Sequence, residues 1–422
     1  MLNTEIGNLM YKWATDLFPI NRSISGQGVR ETLSYINHIL PDLNLYNFSS
    51  GEQVFDWVIP DEWNVSCAYI EDEFGNNIID FKNNNLHLIG YSESVNCWLT
   101  LEELNLHLHS LPDQPNAIPY ITSYYKKKWG FCLTHIQRSS LKNVKYHVVI
   151  KSSFTKGKLD YGELIINGNS SKEILFSTYI CHPSMANNEL SGVVVTTALA
   201  KYISSLENKE YTYRFLFIPE TIGSIAYLSR NWEIMKKVTI AGFVVTCVGD
   251  NQNYSFLPSR KGNTYADKIA KFALDNYTEK YIEYSFLQRG SDERQFCSPL
   301  IDLPVVSIMR SKYGTFPEYH TSLDNLDFIS VSGLQGSYNI YSKIINIIEA
   351  NKVYTPLIYC EPQLGKRGLY NISSNDDADI IINLLAYIDG NTDLIDLSKN
   401  LKTDLFSSLD VVNELLKFNL IK

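Results

Sequence analysis

His182 follows a short apolar run, 173-EILFSTYI-180, and precedes two adjacent amides, Asn187 and Asn188, in 187-NNELSG-192. Three more metal-capable side chains stand in comparable places. Glu220 follows 215-FLFIP-219, Asp250 follows 243-FVVTCVG-249, and His320 lies in 316-FPEYHTSLDN-325, beyond the run 303-LPVVSIM-309. A lone histidine at a strand end usually satisfies a hydrogen bond, whereas a metal site needs several ligands to converge. Four such groups at four strand ends therefore point to metal chemistry more strongly than any one of them. Arg260, Arg289, Asp292, Arg310 and Tyr313 fall in loops of the same kind and are candidates for binding a carboxylate or sugar hydroxyls, since a guanidinium suits bidentate recognition. Asp292 and Arg310 could equally form a structural ion pair. Tyr319, beside His320, is a candidate oxyanion donor or a packing residue. Cys181 and Cys297 read as small apolar residues, because no Cys–His spacing marks either as a nucleophile.

These side chains meet only if the runs before them are strands of one sheet with their carboxyl ends together, the edge where α/β proteins collect ligands. Between about 160 and 350, near-continuous apolar strands do alternate with amphipathic helices, the pattern of a largely parallel sheet covered on both faces. Residues 1 to about 40 read as helices around the polar loop 21-NRSISGQG-28 and are expected to pack on that sheet. From about 53 to 155 the texture is different. Alternating runs such as 65-VSCAYI-70, 77-NIIDF-81, 131-FCLTHI-136 and 145-KYHVVIK-151, divided by Asn, Gly, Asp and Pro clusters, predict a β-rich insertion. The expected division is thus 1–52 with 156–357 as one α/β domain, 53–155 as the insertion, and 358–422 as a third module. That module shows three helical patterns, 378-ADIIINLLAYI-388, 393-DLIDLSKNL-401 and 408-SLDVVNELLKFNLI-421, in the order of a winged helix.

Charge narrows the partners. From 376 to 422 four lysines face eight Asp and one Glu, a net −5 that phosphate would repel, so a protein contact is expected there rather than DNA. The whole chain carries −9, which argues against a nucleic-acid or anionic-membrane surface. With 422 residues, 45% hydrophobic and 20% charged, it has ample material for two or three packed domains. No run of about 18 apolar residues predicts a membrane span. Seven scattered cysteines without a CxxC pair fit a reducing compartment, and a cytoplasmic location is expected.

The order of His182, 187-NNELSG-192, Glu220 in 219-PETIGS-224, Asp250, 291-SDERQF-296 and 320-HTSLD-324 resembles the zinc aminopeptidases of the M28 type. It is more similar still to a bacterial branch that joins such a domain to an inserted β domain and a C-terminal winged helix. The segments 17-LFPINRSISGQGVRETL-33, 54-VFDWVIPDEW-63, 246-TCVGDNQNYSFLPSR-260 and 311-SKYGTFPEYHTSLDN-325 carry that likeness, which runs over nearly the whole chain. It implies a three-layer αβα fold with two zinc ions, a bridging aspartate and a Glu–Glu pair that supplies the general base. By position, His182 and Asp250 resemble the ligands of one metal, His320 a ligand of the other, and Glu220 the base. Here the pair is Glu220–Thr221, and the bridging position is Asn188, whose neutral amide cannot bridge two cations as a carboxylate does. One Zn²⁺ is expected, held by His182, Asp250 and His320, with Asn188 offering a single neutral oxygen. Glu189 reads as a carboxylate favoured by the helix start. The implied activity is hydrolysis of an amide bond in a peptide or amino-sugar derivative. The alternative is a metal- or ligand-binding pseudoenzyme linked to surface-polysaccharide synthesis, as members of that branch are.

Overall fold

A computed structural model describes residues 5–369 and 375–422. Its largest feature is an eight-stranded sheet, ordered Asn44–Ser49, Lys158–Ile166, Thr212–Ile218, Glu173–Tyr179, Thr239–Val244, Val305–Met309, Tyr254–Leu257, Tyr281–Glu283. The four central strands are parallel. Antiparallel pairing enters where no crossover helix separates consecutive strands. Asn44–Ser49 and Lys158–Ile166 pair as a hairpin whose connection is the inserted module. Tyr254–Leu257 follows Thr239–Val244 after only a short loop and runs antiparallel to Val305–Met309.

Alternation along buried strands builds both faces. Ile174, Phe176, Tyr213, Phe215, Phe217 and Phe243 point to a core shared with the helices Glu5–Leu17, Gln27–Ile39, Ser191–Ser205, Tyr265–Tyr277 and Val331–Ala350. Phe176 stacks between Phe215 and Phe243 at 5.3 and 5.2 Å. Leu175, Leu216, Ile218 and Val244 point the other way, to the helix Ile222–Val238 and the inserted module. The result is a three-layer αβα domain.

The insertion carries a four-stranded antiparallel sheet, Asn77–Asp80, Glu62–Asp72, Lys145–Thr155, Val95–Thr100. The run at 131–136 is a strand only over Phe131–Cys132. Thr134 then caps a short helix, His135–Ser139, in a capping box with Gln137, and this local signal overrides the alternation. The C-terminal helices Asn375–Tyr387, Leu394–Leu401 and Leu405–Lys417 bury Leu384, Leu397, Leu405 and Leu415 in continuity with the first core. Part of this module's acidity is structural. Asp393 and Asp404 cap its last two helices, and Asp393 also pairs with Lys268 at 2.7 Å, tying the module to the sheet domain. Among the described residues, no helix is long and apolar enough to cross a membrane.

Candidate metal centre and active site

The central strand ends at Tyr179, and the chain turns back through a π-helical turn, Ala186–Leu190, before the helix Ser191–Ser205 begins. Such wide turns recur at functional sites because they aim several side chains at once. Glu189 stands at the helix start where the sequence placed it, but the turn aims its side chain back at the strand end. One carboxylate oxygen pairs with Arg22 Nε at 2.7 Å, both side chains being wholly buried. The other accepts the Cys181 N–H at 2.7 Å, the His182 N–H, and His182 Nδ1 at 3.0 Å. Arg22 is fixed in turn by the carbonyls of His182 and Leu17. With Nδ1 donating to Glu189, Nε2 is the free ring atom of His182, the arrangement in which a carboxylate orients a metal-binding imidazole. Burial opposes a charge on His182, while Cys181 and Glu189 favour it, and the balance lies well above the ordinary imidazole value.

The amides have separate tasks. Asn187 Nδ2 donates to Asp250 at 2.8 Å, and its Oδ1 accepts from the N–H of Gly249. Asp250 also accepts from the N–H groups of Ser311 and Gln252. Asp324, four residues beyond His320, holds the backbone of both amides through the N–H groups of Asn187 and Asn188, at 2.6 and 2.9 Å. Burial lifts this carboxyl to about 7. Asn188 lies beside Tyr179 and Thr246. Thr246 Oγ1 lies 2.7 Å from the Asn188 carbonyl and 2.5 Å from the Tyr179 hydroxyl. The Tyr179 hydroxyl also donates to the Asn188 side-chain oxygen at 3.2 Å. Asn188 Nδ2, at the other end of the amide, is buried without a partner.

Glu220 leaves the strand Thr212–Ile218 with one oxygen 3.7 Å from His182 Nε2. Burial raises its carboxyl, and His182 and Arg294 pull it back only in part. Thr221 does not imitate a second carboxylate. Its N–H donates to Asp292 at 2.7 Å and its hydroxyl accepts from Arg294 at 2.6 Å. Burial, then the Glu220 charge, lift Asp292 to about 7.

His320 completes the cluster, its ring centroid 5.5 Å from that of His182. Tyr319 stacks on it at 3.9 Å. Burial, then His182, push His320 down to about 3, so it is neutral, and its Nε2 is buried without a hydrogen-bond partner. Ser184, Thr221, Cys247 and His320 all have positive φ without being glycine, a concentration of backbone strain typical of functional sites. The insertion reaches the cluster too. Tyr120 stands 5.2 Å from the His182 ring and 5.1 Å from that of His320. Its N–H donates to the His320 carbonyl at 2.8 Å, Pro119 bridges to Thr321, and Ile118 and Ser322 exchange bonds at 3.0 and 2.8 Å. His182, Glu220 and His320 open into a cavity of about 330 Å³.

Ligand atoms of Cys181, His182 and Glu189 lie within 4.8 Å of one another, close enough to share an ion. Glu189 is committed to Arg22 and three N–H groups, and burial pushes the Cys181 thiol up to about 11, so His182 Nε2, once its proton is displaced, is the ligand atom of the three that remains for an ion. The remaining sequence candidates have partners of their own. Arg260 pairs with Asp302 at 2.7 Å, Arg289 lies over Phe286, and Arg310 lies over Tyr254 while donating to the Gln252 carbonyl. Tyr313 donates to Glu293 at 2.5 Å, and the Cys297 thiol donates to backbone carbonyls. Asp292 bonds to Thr221 and Ser224 rather than to Arg310. Sequence reasoning missed Arg22 and Tyr120. The first could have been sought as the cation needed opposite a buried Glu189; the second left no local signal.

The three-layer αβα sheet places the chain in the aminopeptidase-like fold class. A zinc aminopeptidase from Bacillus subtilis shares the fold at 14% identity, with TM-score 0.59 over 81% of this chain and 94% of that one. A protein of Clostridium acetobutylicum provisionally assigned as a peptidase is 44% identical, with TM-score 0.94 over 99% of this chain and 97% of its own. A relative from the same organism, provisionally described as a polysaccharide biosynthesis protein with an aminopeptidase-like domain, is 48% identical over 371 residues, 88% of this chain and 85% of that one. Residues 352–422 match a winged helix-turn-helix. Residues 11–351 match the family described as a domain of unknown function, DUF4910, and the chain belongs to that family.

Proposed function

We propose that the chain hydrolyses an amide bond in a small peptide or amino-sugar derivative, using one zinc ion held by His182 and His320 with Asp250 as the third ligand. The observation that carries this reading is His320 Nε2, a neutral, buried acceptor with no partner, in one cluster with the oriented His182. The two imidazoles fit one ion, His182 giving up its Nε2 proton as the metal binds; the amide at 188 and the engaged Thr221 do not fit a second. Bound zinc would polarise the scissile carbonyl and acidify a water. Glu189 keeps Nε2 of His182 free, Tyr120 and the insertion exclude bulk water, and Glu220 Oε2 takes a proton and returns it to the leaving nitrogen, a task suited to its raised carboxyl. The relative's name supports a substrate from polysaccharide metabolism, and the C-terminal module, with its acidic surface, fits a protein partner better than DNA.

The test is zinc titration of chelator-treated full-length protein beside its His320→Ala variant, followed by an assay of amine release from N-acyl amino acids and N-acyl hexosamines. One zinc per wild-type chain, its loss in the variant, and metal-dependent amine release are expected. Two zincs, or binding unchanged by the variant, would overturn the metal assignment. The pattern of one zinc and no release from any substrate would favour a pseudoenzyme, a reading that the engagement of Thr221 with Asp292 and Arg294 supports.

A further inference from the structure

The cavity beside the histidines is not built by the sheet domain alone. Ile24 and Ile222 supply two of its apolar positions, but Trp57, Tyr120, Thr122, Tyr124 and Tyr125 all come from the insertion. At about 330 Å³ it lies at the small end of ligand pockets, which span roughly 300–1,000 Å³, and has room for one ring with a short substituent. Its lining holds one carboxylate, Glu220, and neither lysine nor arginine. A phosphate or carboxylate on the occupant would meet no lysine or arginine.

The rim is aromatic and open. Trp57 and Tyr125 stand edge to face at 5.7 Å, yet they are 41% and 53% exposed. Tyr125 holds φ 63, an uncommon conformation for a bulky residue, and its hydroxyl donates to the Val58 carbonyl at 3.1 Å. Strain retained to fix a half-exposed ring is the mark of a positioned contact surface. Aromatic faces accept the flat side of another ring, whether an aromatic side chain or the C–H face of a pyranose, and Trp and Tyr do so at little entropic cost.

We infer that the insertion is the substrate-reading element, and that the cavity takes an uncharged, ring-bearing N-acyl amide with its ring against Trp57 and Tyr125 and its amide toward His182, Glu220 and His320. The inference rests on the proposed hydrolase site for the orientation of the amide, while the ring recognition stands on the insertion alone.

Calorimetric titration of the full-length protein in chelator tests it. The ligands are N-acetylglucosamine, N-acetylphenylalanine amide, the acyclic N-acetylalanine amide, and N-acetylglucosamine 6-phosphate. At least one of the two neutral ring-bearing amides should bind in the millimolar range or tighter, and the tighter one identifies the ring as sugar or aromatic. The acyclic amide and the phosphate should bind at least tenfold more weakly. Trp57→Ala should weaken the ring ligand at least tenfold with an unchanged circular dichroism spectrum. Failure of both ring ligands to bind, equal binding of the acyclic amide, or indifference to Trp57→Ala would overturn the proposal. The selectivity of the wild type does not depend on any variant folding. Because metal and turnover are absent from this measurement, its failure would leave the one-zinc reading intact, and ring binding without hydrolysis would do the reverse.

Discussion

Replacing Glu189 by glutamine removes the charge that joins Arg22 to the His182 strand end, while changing almost nothing in volume. Both side chains of the pair are wholly buried at 2.7 Å. Breaking such a pair from one side costs about 3–5 kcal/mol, because the remaining charge stays buried. The upper part of that range is expected here. One glutamate oxygen serves Arg22 and the other serves three N–H donors, and a glutamine must turn its NH₂ toward one of these sets. The assay is urea unfolding followed by circular dichroism and tryptophan fluorescence, with the slope unchanged and the midpoint lowered. Arg22→Met and Glu189→Met should each cost a similar amount, whereas the double variant carrying both should lose clearly less than their sum, since neither partner's charge is left buried alone. Zinc affinity provides an independent reading. With its orienting carboxylate gone, His182 should bind metal about 10–100-fold more weakly. A Glu189→Gln variant within about 1 kcal/mol of wild type, or strict additivity in the double variant, would refute the reasoning.

Asn188→Asp places a second carboxylate oxygen, and a charge, where the buried Nδ2 has no partner, so the metal-free variant should lose about 1–3 kcal/mol. Added zinc should raise its melting temperature more than that of wild type, and an equal zinc shift in both would count against the assignment. Burial lifts Asp324 from 3.8 to about 7, so the folded chain keeps a proton that the unfolded chain releases, and this group lowers stability as pH rises from about 4 to about 7. Asp324→Asn should therefore gain relative to wild type across that window, as urea midpoints at several pH values would show; a constant difference would contradict the burial argument. The acidic C-terminal module should show no salt-sensitive binding to duplex DNA by fluorescence anisotropy, and binding that weakens steeply with salt would contradict its charge reading.

The alternation of apolar strands and helices was legible because both faces of the central sheet are buried, which leaves runs such as Glu173–Tyr179 with no polar side. His182, Glu220 and His320 were legible as a set for the related reason that each ends or follows one of those runs. The antiparallel outer strands were not, since their direction depends on which connection omits a helix. The aim of the Glu189 side chain was missed because helix-start reasoning assumes an α-helix, and the π-helical turn re-aims the side chain by the width of one extra residue per turn. Tyr120 was invisible for another reason: its neighbours His182 and His320 are 62 and 200 positions away in the chain, and nothing in 117-AIPYIT-122 anticipates them.

The strap between the insertion and the His320 loop has a consequence in time. A ribosome adding roughly 5–20 residues per second takes about 10–40 s to travel from Tyr120 to His320, so the segment at 117–122 is synthesised long before its partner exists. Throughout that interval an edge of the insertion is without its final neighbour, open to any extended chain that meets it. Pro119 sits in the middle of that edge and has no N–H to offer a stranger, while the bridge to Thr321 is closed by its neighbours, the Tyr120 N–H on the His320 carbonyl and the Ser322 N–H on the Ile118 carbonyl. The same delay leaves the cavity without its His320 side until just over three-quarters of the chain has been made.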